Sequence, residues 1–157
     1  MPGYRTHVGG GIVIYCLLVV LLSSRLFFST LSFLTAFEWF VCAVLGSLFP
    51  DIDTKSKGQL LLYRFIAIVL LYFVIQRKLV AFVWVSLLAM VPLLVRHRGI
   101  FHSVWFVITL GFGTALFVAS LYPKLQQKLL FDAAFFVAGA LSHIFLDRLV
   151  SRFKRSW

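Results

Sequence analysis

The chain has four histidines and five carboxylates with which to do ligand or acid–base chemistry: His7, His97, His102, His143, Glu38, Asp51, Asp53, Asp132 and Asp147. Imidazole and carboxylate together form a donor set that suits Zn²⁺, and also Mn²⁺ or Fe²⁺. Their spacing is informative. His143 and Asp147 are four residues apart, so a helix presents both on one face as a two-ligand clamp. Asp51 and Asp53 flank Ile52 just after Pro50, and in an extended turn residues i and i+2 point the same way. His97 and His102 bracket Gly99, where the missing Cβ lets the backbone fold tightly. His7, Asp51, Asp53, His97, His102, His143 and Asp147 together exceed one tetrahedral site. They suit two ions, or three, with carboxylates bridging. Each motif alone also has a plainer use, as a turn cap, a hydrogen-bonded pair between helices or an interfacial histidine. The metal reading rests on their conjunction.

The elements that must position these residues are membrane spans. Apolar residues make up 62% of the chain and charged ones 13%, against about 45–50% and about 25% in a soluble domain. A chain of 157 residues cannot bury that much apolar surface inside itself, so the bilayer is its solvent. Roughly 17–25 apolar residues cross a hydrocarbon core as a helix. That ruler gives an all-α, polytopic membrane bundle of about six spans, near 8–26, 31–49, 60–75, 79–95, 101–121 and 129–150. We expect one membrane-embedded domain over residues 1–157. The first span has no small-residue cleavage site and is expected to be retained. Cys16 and Cys42 lie inside apolar stretches and read as packing residues.

Six spans put both termini and all seven candidate ligands on one side of the membrane. Ten of the fifteen Lys and Arg residues fall on that side, which marks it as cytoplasmic. The net charge of +10 is distributed between apolar runs rather than along a basic face, so no nucleic-acid partner is expected. Glu38 and Asp132 sit away from the cluster and read as paired with a cation or interfacial. His7 is expected just before the first span. Residues 148–157 carry four cations and a terminal Trp and read as an anchor to anionic lipid. Arg98, and less directly Arg64, could hold a phosphate. Ser103 and Ser142 adjoin candidate ligand histidines and could hydrogen-bond to them.

On these residues the sequence resembles the bacterial inner-membrane proteins of the YdjM type, described as LexA-regulated, membrane-bound, predicted metal-dependent hydrolases. The carrying elements are His7 with Gly10, Leu48-Phe49-Pro50-Asp51-Ile52-Asp53, His97-Arg98-Gly99 with His102-Ser103, and Gly139 with His143 and Asp147. They span nearly the whole chain. The resemblance implies hydrolase chemistry and a divalent metal at the seven candidate ligands.

The preferred function is metal-dependent hydrolysis of a phosphoester or phospholipid head group at the cytoplasmic interface, on a site holding two ions, zinc before manganese or iron. Asp51 or Asp53 would be the general base and Arg98 would steady the anionic transition state. Two alternatives stand beside it. A divalent-metal transporter or sensor would use the same ligands, but would place ionisable groups near the bilayer midplane. A non-enzymatic structural membrane protein would use the polar cluster only to tie helix ends together.

Overall fold

The computed structural model describes residues 3–23, 32–52, 56–94 and 100–153. Among the described residues there are six α-helices: α1 (Tyr4–Ser23), α2 (Phe33–Leu48), α3 (Lys57–Ile75), α4 (Leu79–Leu94), α5 (Val104–Leu121) and α6 (Gln126–Phe153). Three short 3₁₀ turns join them, Phe49–Asp51, Ile100–His102 and Pro123–Leu125. All the regular structure described is helical, as the composition requires.

Five segments are long and apolar enough to cross a membrane. The fourth helix, with its sixteen residues, is about 24 Å long and shorter than the hydrocarbon core. Large apolar side chains point outward, with Leu88 65% and Trp105 78% exposed. Small residues fill the contacts instead: Ala43 and Ala140 are fully buried. Lipid tails solvate the large side chains as well as protein does, and helices associate where small residues let backbones approach.

The frame that positions the site is α6 packed on α1, α2 and α5. Helices α2 and α6 run parallel: Glu38 pairs with Lys128 near their starts, and Ser47 meets His143 near their ends. Two glycines bring these helices into backbone contact. A Cβ on Gly46 would fall on the Phe136 carbonyl, and one on Gly139 on the Ala43 carbonyl. Trp39 stacks on Phe135 (4.9 Å between centroids) and fills the same interface further from the site.

Three sequence expectations change. The first helix starts at Tyr4 rather than near residue 8, so His7 is inside it and not ahead of it. The Gly9–Gly10–Gly11 run lowers helix propensity, but Gly10 lies against Ser142 and Leu146 of α6 and Gly11 against Ser47 and Ala43 of α2, and packing prevails. Asp51 ends a 3₁₀ turn rather than lying in an extended one, because Pro50 fixes φ at a helical value. Phe101 and His102 form a 3₁₀ turn ahead of α5, which starts at Val104 behind Ser103. Residues 148–153 continue α6 as helix, and residues 154–157 lie outside the described residues.

Candidate metal centre

Helices α1 and α5 begin at one end of the bundle, and α2 and α6 finish there. Asp51 is delivered by the 3₁₀ turn after α2 and His102 by the turn before α5. The turn after α2 is fastened from behind. Gln59 donates through Nε2 to the Ile52 carbonyl (2.8 Å), and Ser56 caps α3 by accepting from the Gln59 backbone N–H (3.0 Å). His7 comes from the second turn of α1, and His143 and Asp147 from successive turns of α6.

His143 is fully buried. Its Nδ1 lies 2.7 Å from the Ser47 carbonyl oxygen. A carbonyl only accepts, so Nδ1 carries the proton and Nε2 keeps a lone pair. This arrangement, with one ring nitrogen donating to backbone and the other presented as a ligand, fixes the tautomer of metal-binding histidines. The lone pair is aimed at two carboxylates: Nε2 is 3.7 Å from Asp51 Oδ1 and 3.7 Å from Asp147 Oδ2. His102 Nε2 faces the same two oxygens, 3.8 Å from Asp51 Oδ1 and 3.7 Å from Asp147 Oδ2. The atoms form a closed ring of alternating nitrogen and oxygen.

These separations are too long for hydrogen bonds. They are close to what one ion imposes, since ligands bound at about 2.1 Å sit roughly 3 to 3.5 Å apart. Two carboxylates beside two imidazole donors suit a divalent cation at the edge of a low-dielectric bilayer. The His143 Nε2 and Asp147 Oδ1 atoms are buried with no hydrogen-bond partner among the described residues. Buried polar atoms in that state call for an ordered water or an ion. The donor chemistry therefore fits a divalent ion.

His7 extends the cluster. It is 1% exposed, its ring stacks on His143 (3.7 Å between centroids, 16° between planes), and its Nε2 is 3.7 Å from Asp147 Oδ1. The two oxygens of Asp147 thus face different histidines, the disposition of a bridging carboxylate. Two overlapping groups could each hold a metal: His7, His143 and Asp147, and Asp51, His102 and His143. His143 has only one free lone pair, so it can serve one ion at a time.

Of the seven candidate ligands, His7, Asp51, His102, His143 and Asp147 come together. Asp53 and His97 lie outside the described residues, as does Arg98. Glu38 makes an ion pair with Lys128 (3.0 Å), and Asp132 is near that pair. From Lys128 to His143 is about 22 Å along the helix, so both acids are remote from the cluster. Ser103 heads α5 and Ser142 donates to the Gly139 carbonyl (2.7 Å). Ser47 was not among the sequence candidates. It acts through its backbone carbonyl, which no side-chain motif reveals, although the small residues Ala43 and Gly46 just before it mark a close helix crossing.

A family model described as YdjM inner membrane protein matches residues 1–152. No curated protein and no solved structure matches the chain.

Proposed function

The chain belongs to the YdjM inner membrane protein family, and from that premise we propose that it is a membrane-bound, metal-dependent hydrolase of phosphoesters, its site open to the cytoplasmic interface. The observation that carries the proposal is the ring of four ligand atoms from Asp51, His102, Asp147 and His143, at 3.7–3.8 Å spacing, with His143 locked in the ligand tautomer by Ser47. Asp51, His102 and His143 would hold the first ion, with Asp147 Oδ2 beside them, zinc in preference to manganese or iron. His7 and the second oxygen of Asp147 would start a second position, for which His97 is the remaining candidate ligand. When bound, divalent metal lowers the pKa of water and polarises a phosphoryl oxygen.

The chain's own groups have separate tasks. Asp51 is committed as a ligand, which leaves Asp53 as the general base. Arg98 binds the phosphoryl oxygens and steadies charge that develops on them. The stacked rings of His7 and His143 close the inner wall and keep water from entering beneath the site. A transporter would need ionisable groups along a path through the bilayer. The described histidines and carboxylates gather instead at the two ends of α6, which does not favour transport or sensing. A purely structural cluster would favour direct His–Asp hydrogen bonds over 3.7 Å gaps.

The test is elemental analysis of detergent-purified protein, wild type beside His143→Ala and Asp51→Ala, followed by a screen of phosphoesters. About two equivalents of one transition metal in the wild type, lost in both variants, is the expected result. Folded wild type that stays metal-free after incubation with zinc, manganese and iron would sink the reading.

A further inference from the structure

Next to the candidate metal centre lies a cleft that the ligand chemistry does not use. Helix α4 packs on α3 and helix α5 on α6, and the space between these pairs is a cavity of about 400 Å³. Its lining is apolar throughout, with Leu62 and Ile66 from α3, Val85 and Ala89 from α4, and Phe106 and Leu110 from α5. We infer that this cleft binds an acyl chain, so that the substrate is a lipid phosphoester whose tail lies between α4 and α5 while its head group faces Asp51 and His102. The substrate half of this inference rests on the hydrolase reading.

Three observations select the occupant. The first is continuity with the site. Phe49 and Ile52 line the cleft and bracket Asp51, and Phe101 lines it and precedes His102. Phe49 and Phe101 meet edge to face (5.6 Å between centroids) at the junction. The same two 3₁₀ turns therefore wall the cleft and deliver candidate ligands. The second is the direction of the mouth. Phe65, Leu88 and Val91 line the cleft and are also exposed, so it opens on the lateral faces of membrane helices, where lipid is the surrounding medium. The third is size. A methylene takes roughly a water's share of liquid volume, about 30 Å³, so the cavity holds about a dozen methylenes. A helix from a second copy is about 10–12 Å across and far larger than the space. A chain that enters sideways carries its head group to the membrane surface at the level of the site, with no need to lift the lipid out of the bilayer.

The experiment is native mass spectrometry of detergent-purified wild type titrated with a long-chain phosphatidic acid and with its short-chain, water-soluble analogue. Val85→Trp and Ala89→Trp fill the cleft from one wall, and Leu71→Trp, on an exposed face outside it, is the control. Metal content is measured on every sample. The long-chain lipid is expected to bind at least tenfold tighter than the short one, an advantage retained in Leu71→Trp and lost in both cleft variants at unchanged metal content. Equal affinity for the two lipids in the wild type overturns the groove, as does an advantage that survives both cleft variants. So does a dimer that forms without lipid and disappears in Val85→Trp. If metal is retained in any of these cases, the hydrolase reading stands without the groove. If the wild type stays metal-free after incubation with zinc, manganese and iron but shows the chain-length advantage and its loss, the groove stands and the hydrolase reading falls.

Discussion

At the scale of single residues, the cluster is organised by what Asp147 touches. Its two oxygens face His7 on one side and His102 and His143 on the other, so its removal should empty both proposed ion positions, whereas loss of His7 should empty one. Two equivalents in the wild type, one in His7→Ala and none in Asp147→Asn is the expected series by elemental analysis. Equal loss in the His7 and Asp147 variants would refute the bridging role. Asp147→Asn keeps shape and removes charge, so its circular dichroism should match the wild type. The pairing of His143 with Asp147 was legible in the sequence because a four-residue spacing has one meaning on a helix. The restraint on His143 was not, because its partner is a main-chain carbonyl 96 residues away and every residue has one.

At the scale of elements, the site depends on how closely α2 and α6 approach. Gly139→Ala would drive a methyl group into the Ala43 carbonyl, and overpacking of this kind costs about 1–3 kcal/mol. The variant should unfold at lower temperature in detergent. It should also bind metal about 10–100-fold more weakly, because displacing a partner that orients a ligand has that effect. Normal metal affinity in a destabilised Gly139→Ala would separate packing from the site and refute the link. The opposite effect is expected at the α3–α4 turn. Arg77 is there in the left-handed region (φ 53°), closing the helix with Arg77 N–H on Val74 and Lys78 N–H on Phe73. A side chain in that conformation costs about 1 kcal/mol, so Arg77→Gly should raise the melting temperature and leave metal content unchanged. Helix existence was legible from hydropathy, and the end of the second span from Pro50. The start of α1 was not, since glycines weaken a helix locally, and only the contacts of Gly10 with Ser142 and Leu146 and of Gly11 with Ser47 mark packing surface there.

At the scale of the whole molecule, the cluster joins α1, α2, α5 and α6, while α3 and α4 stand to one side. An ion held there binds the folded bundle and not the unfolded chain, so at a hundredfold excess over Kd it should add about 2.7 kcal/mol of stability. Chelator treatment should lower the melting temperature of the wild type and leave that of His143→Ala unmoved; the same drop in both would mean that the chelator acts elsewhere. The order in which the helices contribute also has a consequence for biosynthesis. The first ligand lies in the first helix and the last near the end of the sixth, so a nascent chain inserts its opening helix with His7 already inside it and must wait until α6 has left the ribosome to close the cluster. On the proposed reading, metal capture would follow insertion, and a chain stalled before α6 would leave the translocon unable to load an ion.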